Sequence, residues 1–124
     1  ETCGIVMTAH IVNRQLDSSG LPATLSHKML TDLLRNQLHF QGVIITDDMQ
    51  MKAIADNYEL ETALTLAINA GADMFIFGNQ LDETKQDPQE IIDIIERKVA
   101  SGEIPEDRIN QAYRHISHFK KRML

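Results

Sequence analysis

The sequence is short of several things, and each shortage removes a class of explanation. It has one cysteine, Cys3, so no intrachain disulfide can form. The fold must then be held by packing, and a reducing, cytoplasmic location is permitted. Two residues ahead of the first apolar run, Cys3 reads as a small structural hydrophobe and not as a nucleophile. Basic residues are in deficit: 12 Lys and Arg stand against 18 Asp and Glu, a formal net charge of -6. The clustered positive charge of a nucleic-acid or anionic-lipid binder is missing, so neither partner is expected. No apolar run approaches the roughly 18 residues needed to span a bilayer, and no charged start leads into a signal-peptide core. His27, His39, His115 and His118 fall on helices or turns away from the strand ends, and none follows His10 at ligand spacing. No metal and no other cofactor is therefore expected. What is present, 43% hydrophobic and 24% charged residues over 124 positions, is ordinary composition for one globular domain.

The centre of the sequence is Gly42-Val43-Ile44-Ile45-Thr46-Asp47-Asp48-Met49-Gln50-Met51. Four apolar or β-branched residues in succession leave no polar face, which is the habit of a strand buried on both sides in a parallel sheet. Ile5 to His10 and Ala72 to Asn79 repeat the pattern on either side, as two further buried strands. Between the first two lies a long polar loop from Val12 to Thr24. Ser26 then serves as N-cap for a helix running to about Leu38. Met49 to Ala55 fits a short helix that either aspartate could cap, and Glu59 to Ala70 an amphipathic one closed by Gly71. Asp87-Pro88-Gln89-Glu90 opens a helix to about Ala100, and Pro105 a last one with a solvated basic end at Lys120, Lys121 and Arg122. The fold class is α/β, with about three parallel strands and flanking helices. Three strands are few for a doubly wound sheet and far short of the eight that close a barrel.

Each strand ends on a polar side chain: His10, Asp47 with Asp48, and Asn79. The carboxyl ends of parallel strands are where ligands and catalytic groups collect. A carboxylate there can act as nucleophile, general base, metal ligand or helix cap, and spacing alone does not choose. Side chains alternate along a strand, so the two aspartates cannot point the same way; Asp48 reads as a cap or anchor. His10 is as easily a core histidine satisfied by a backbone group as a site residue. His10, Asp48 and Asn79 stand as candidates for substrate binding. A receiver-type signalling domain also has an acidic strand-end pocket. It places its paired acids after the first of five strands, whereas here the pair follows the second of three.

Leu33 to Asp47 closely resembles the active-site signature of glycoside hydrolase family 3, in which the aspartate after Ser or Thr is the catalytic nucleophile. The resemblance assigns that role to Asp47. Thr46-Asp47-Asp48-Met49-Gln50-Met51 is similar to the form in the β-N-acetylhexosaminidase branch, which usually has Ser first and Leu at the place of Met49. Met7 to His10, Leu21 to Ser26, Ala70 to Met74 and Gly102 to Ile104 resemble that branch in order and spacing. The fold implied is a (β/α)8 barrel, of which residues 1–124 form the C-terminal part from about its sixth strand. The partner implied is an N-acetylglucosamine-containing saccharide of cell-wall or chitin type, as in peptidoglycan recycling. The branch's acid/base, a His-Asp pair on a His-, Pro- and Gly-rich loop, belongs upstream of Glu1, and no such run occurs in the chain. Residues 1–124 alone are thus expected to be inactive, and their incomplete sheet edges are expected to self-associate.

Overall fold

The computed structural model describes residues 3–81 and 85–123; Glu1 and Thr2 lie outside them. Three strands, β1 (Ile5–Met7), β2 (Val43–Asp48) and β3 (Met74–Ile76), form one parallel sheet in the order β1-β2-β3. Parallel neighbours need crossovers, and both are helical. A 3-10 turn (Ala23–Leu25) and helix α1 (Lys28–Gln37) join β1 to β2, while α2 (Lys52–Ala55) and α3 (Leu60–Ala70) join β2 to β3. Helices α4 (Pro88–Ala100) and α5 (Glu106–Met123) follow β3. This is the expected α/β plan of three parallel strands with flanking helices.

β2 is the centre of the core. Val43, Ile44 and Thr46 are wholly buried. Leu25, Leu30, Met49 and Ile54 join Ile44 and the alanines of α3, Ala63, Ala67 and Ala70, in one apolar cluster. Each large apolar side chain so enclosed contributes about 1.5–3 kcal/mol. The other two strands depart from the expectation of burial on both faces. Ile5 and Met7 are exposed, at 38% and 56%, and all of β3 is half-buried. Ile5 and Met7 share one face of β1 by alternation, and among the described residues that face is left uncovered. Cys3 is exposed as well, its thiol turned to the Ile5 carbonyl at 3.1 Å. Its reading as a packed hydrophobe is thereby overturned, for the same reason.

The local signals fare better. Ser26 Oγ accepts the Met29 N–H at 3.1 Å and donates to Asp17 Oδ2 at 2.5 Å, so it starts α1 and pins the preceding loop. Gly71 takes φ 128° after α3, and Asp87 accepts the Gln89 N–H with Pro88 in the first helical position. Two local readings change. α1 is wound as a π-helix, ending with the Leu38 N–H on the carbonyl of Leu33; Leu30 is buried and Leu34 packs against the core, while Leu38 at the end of the run is exposed. α2 begins at Lys52 after Met51, with no side-chain cap. Asp48 instead closes the turn ahead of it, accepting the Gln50 N–H at 2.9 Å.

Pairing between β2 and β3 is uneven. Ile45 is paired with Met74 and Asp48 with Ile76, so three steps on β2 face two on β3. The extra residue is a bulge. At that point the Thr46 hydroxyl also lies within reach of the Ile76 N–H, at 3.3 Å.

Candidate active site

The carboxyl ends of the strands bring together all four residues singled out from the sequence. Asp47 lies within the bulged stretch between Ile45 and Asp48 and is half-buried. Among the described residues its carboxylate takes a single hydrogen bond, from the Asp48 N–H to Oδ1 at 2.8 Å. Its Oδ2 takes no hydrogen bond among the described residues.

Asp48 points elsewhere, as alternation requires. Its Oδ1 accepts the Gln50 N–H at 2.9 Å and its Oδ2 the Gly78 N–H at 3.1 Å, which ties the end of β2 to the residues after β3. Its carbonyl accepts the Met51 N–H at 3.1 Å and the Nε2–H of His10 at 2.8 Å. Nε2 faces a carbonyl, which can only accept, so that nitrogen carries the hydrogen. The other ring nitrogen of His10 is 2.8 Å from Thr24 Oγ1, which in turn is 2.8 Å from Thr8 Oγ1. His10 therefore bridges the end of β1, the loop before α1 and the end of β2.

Asn79 sits in the left-handed region at φ 55°. Its side-chain carbonyl accepts from Gln50 Nε2 and from the Gln86 N–H, both at 2.9 Å, and its own N–H donates to Gln50 Oε1 at 2.7 Å. A small cleft of about 280 Å³ bounded by Gln50, Phe77 and Gln86 opens beside this clasp. A larger one of about 420 Å³ lies at the opposite end of the sheet, lined by Gly4, Phe40, Gly42 and Phe119, and holds none of the four residues. Among the described residues no group of three or more His, Cys, Asp and Glu is placed to hold a metal ion.

Sequence reasoning missed a second cluster at the amino end of the sheet. Asp73, directly before β3, is buried and accepts from Arg35 at 2.6 Å, Arg108 at 2.9 Å and the Ile44 N–H at 3.0 Å; His115 Nδ1 lies 3.1 Å away. Burial pushes the Asp73 carboxyl up, but the bonds from His115, Ile44 and Arg108 outweigh it and hold it below the usual carboxylate range. Burial lowers Arg35 from its ordinary value, against the opposing pull of Asp73. The available signal was a lone acid heading an otherwise apolar run. In the loop after β1, bonds from Ser19 and Ser26 depress Asp17 to about 2.

The family model described as "Glycosyl hydrolase family 3 N terminal domain" matches residues 1–119. The chain belongs to glycosyl hydrolase family 3. Relatives within the family carry hexosaminidase names. A beta-hexosaminidase of Actinobacillus pleuropneumoniae serotype 3 is 33% identical over 94% of this chain and 30% of its own length. Beta-hexosaminidase A of Pseudoalteromonas piscicida is 40% identical over 57% of this chain and 14% of its own. The chain thus spans less than a third of these family 3 relatives. A solved family 3 beta-N-acetylglucosaminidase from Paenibacillus sp. str. FPU-7 superposes with a TM-score of 0.87 at 31% identity, over 98% of this chain and 22% of that one. Family membership replaces the receiver-type alternative, in agreement with three strands among the described residues in place of five.

Proposed function

We propose that these residues supply the nucleophile of a retaining β-N-acetylhexosaminidase, which removes terminal β-N-acetylglucosaminides from cell-wall or chitin-type saccharides in the cytoplasm. The observation that carries the reading is the contrast among the four strand-end residues. Asp47 alone offers a lightly bonded carboxylate on a rigid strand end, at the place that the signature reserves for the nucleophile. In such a reaction an Asp47 oxygen attacks the anomeric carbon as the glycosidic C–O bond breaks, and a separate acid protonates the leaving oxygen. Water then attacks the glycosyl-enzyme ester, with the same acid, now deprotonated, taking the water's proton. The acid belongs to a His-Asp loop with no counterpart in residues 1–124, so this stretch alone turns over nothing.

Two experiments test this reading. The full-length enzyme, quenched during turnover of a slow N-acetylglucosaminide and digested, should carry the sugar on the peptide containing Asp47; a label on any other residue overturns it. Residues 1–124 expressed alone should leave a chromogenic N-acetylglucosaminide intact, and measurable turnover would contradict the division of the site. The open edge of β1, with Ile5, Met7, Ile11 and Val12 exposed, is the surface through which the isolated stretch associates with itself. A monomer by light scattering at all concentrations would exclude that.

A further inference from the structure

We propose that Asp48, braced by His10, is a positioning residue for Asp47 and makes no contact with the sugar. The inference rests on the reading of Asp47 as nucleophile. Every polar atom of Asp48 is committed within the protein. Its N–H goes to Asp47 Oδ1, its carbonyl takes the hydrogens of His10 Nε2 and the Met51 N–H, and its carboxylate takes the N–H groups of Gln50 and Gly78. The donors come from three places, the end of β1, the turn after β2 and the residues after β3. Asp48 is thus the point where three segments are fixed relative to one another, and the bond it passes on is the one that orients the Asp47 carboxylate. Gly78 shows how tight the arrangement is. A Cβ added there would stand 2.5 Å from Asp48 Oδ2, so the main chain of Gly78 approaches as only a residue without a side chain can.

A carboxylate suits this place because both of its oxygens accept. In Asp48→Asn one of them becomes an NH2 that faces either the Gln50 or the Gly78 N–H, donor against donor. His10 reaches Asp48 through donation from Nε2 to its carbonyl, while Nδ1 meets Thr24 Oγ1; a glutamine amide can reproduce the first of these. A phenylalanine of similar volume cannot.

Kinetics of the full-length enzyme on 4-nitrophenyl N-acetyl-β-glucosaminide separate positioning from binding. Small misplacement of a reacting group lowers turnover on the order of 100-fold while leaving ground-state binding intact. Asp48→Asn and His10→Phe should lower kcat about 30- to 100-fold with KM held within about 3-fold, and His10→Gln should recover kcat to within about 5-fold of the parent. Gly78→Ala, which pushes Asp48 from the other side, should reproduce the kcat loss and covers the case in which His10→Phe does not fold. A raised KM with kcat retained would mean that these side chains touch the sugar and would overturn the proposal, as would unchanged kcat in Asp48→Asn and Gly78→Ala. Asp47→Asn is measured alongside. Should it retain activity, the nucleophile reading itself is wrong, an outcome distinguishable from a failure confined to Asp48 and His10.

Discussion

Asp47 and Asp73 stand at opposite ends of the same sheet. Asp47 takes one described hydrogen bond, from its neighbour's N–H, and stays partly open to solvent. Asp73 is fully enclosed and is met by two guanidinium groups, an imidazole and a backbone N–H. The first arrangement leaves a charge available; the second consumes it. Parallel β/α folds commonly divide labour in this way, with chemistry at the carboxyl ends of the strands and stability at the amino ends. Here the division is visible in two carboxylates of the same type, distinguished by surroundings alone.

Substitutions that move stability and turnover separately can break or sharpen that division. The largest expected effect is on catalysis. Asp47→Asn in the full-length enzyme should lower kcat by about 1,000-fold or more, on the order of 4 kcal/mol of transition-state stabilisation. Its urea midpoint should stay close to that of the parent; a matching loss of stability would show that Asp47 also holds the fold. Asp73→Ala should do the reverse, costing about 3–5 kcal/mol because Arg35 and Arg108 are left without their counter-charge. Urea denaturation gives the number, and a cost below about 1 kcal/mol would remove the amino-end cluster from its proposed role. The native carboxyl of Asp73 titrates below its unfolded value, so its contribution is complete above about pH 4 and is lost as pH falls further. The acid limb of stability against pH should therefore flatten in Asp73→Asn. Thr46→Val tests the boundary between the two ends. It keeps the volume but removes the hydroxyl that meets the Ile76 N–H, and a cost of about 0.5–1.5 kcal/mol is expected. The smallest effect concerns the loop. Ser26→Ala should cost about 1 kcal/mol by removing the N-cap of α1. Asp17→Asn should shrink the loss of stability between about pH 4 and pH 2, because Asp17 titrates near 2 in the folded chain.

Much of this plan was legible from residues alone, and the parts that were not share a cause. Ser26, Gly71 and Asp87 act on neighbours two to four residues away, so their types and places suffice to predict caps and stops. β2 was legible because a strand with no polar face has few other fates. β1 carries the same kind of run yet lies exposed, because burial depends on what stands beside a strand and no residue of the run specifies that. The Asp73 cluster draws Arg35 from α1 and Arg108 and His115 from α5 across long stretches of chain, which spacing cannot reveal. Asp47 was singled out by its strand and assigned by its resemblance. That His10 is spent on the Asp48 carbonyl and Thr24, and Asp48 on the N–H groups of Gln50, Met51 and Gly78, depends on contacts between segments distant in the chain.

The uneven pairing of β2 and β3 has a consequence for how the site can change. Three residues on one strand against two on the other act as a phase shift in the up-and-down alternation of side chains. Upstream of it, Ile44 and Ile45 keep the rhythm that fills the core. From Asp48 onward the sequence is read in a different frame, and Asp47 stands in the step between the two. Only Thr46 and Asp47 stand between Ile45 and Asp48, so a deletion that restores equal counts removes either the hydroxyl near Ile76 or the proposed nucleophile, and the segment should tolerate replacements far better than changes of length.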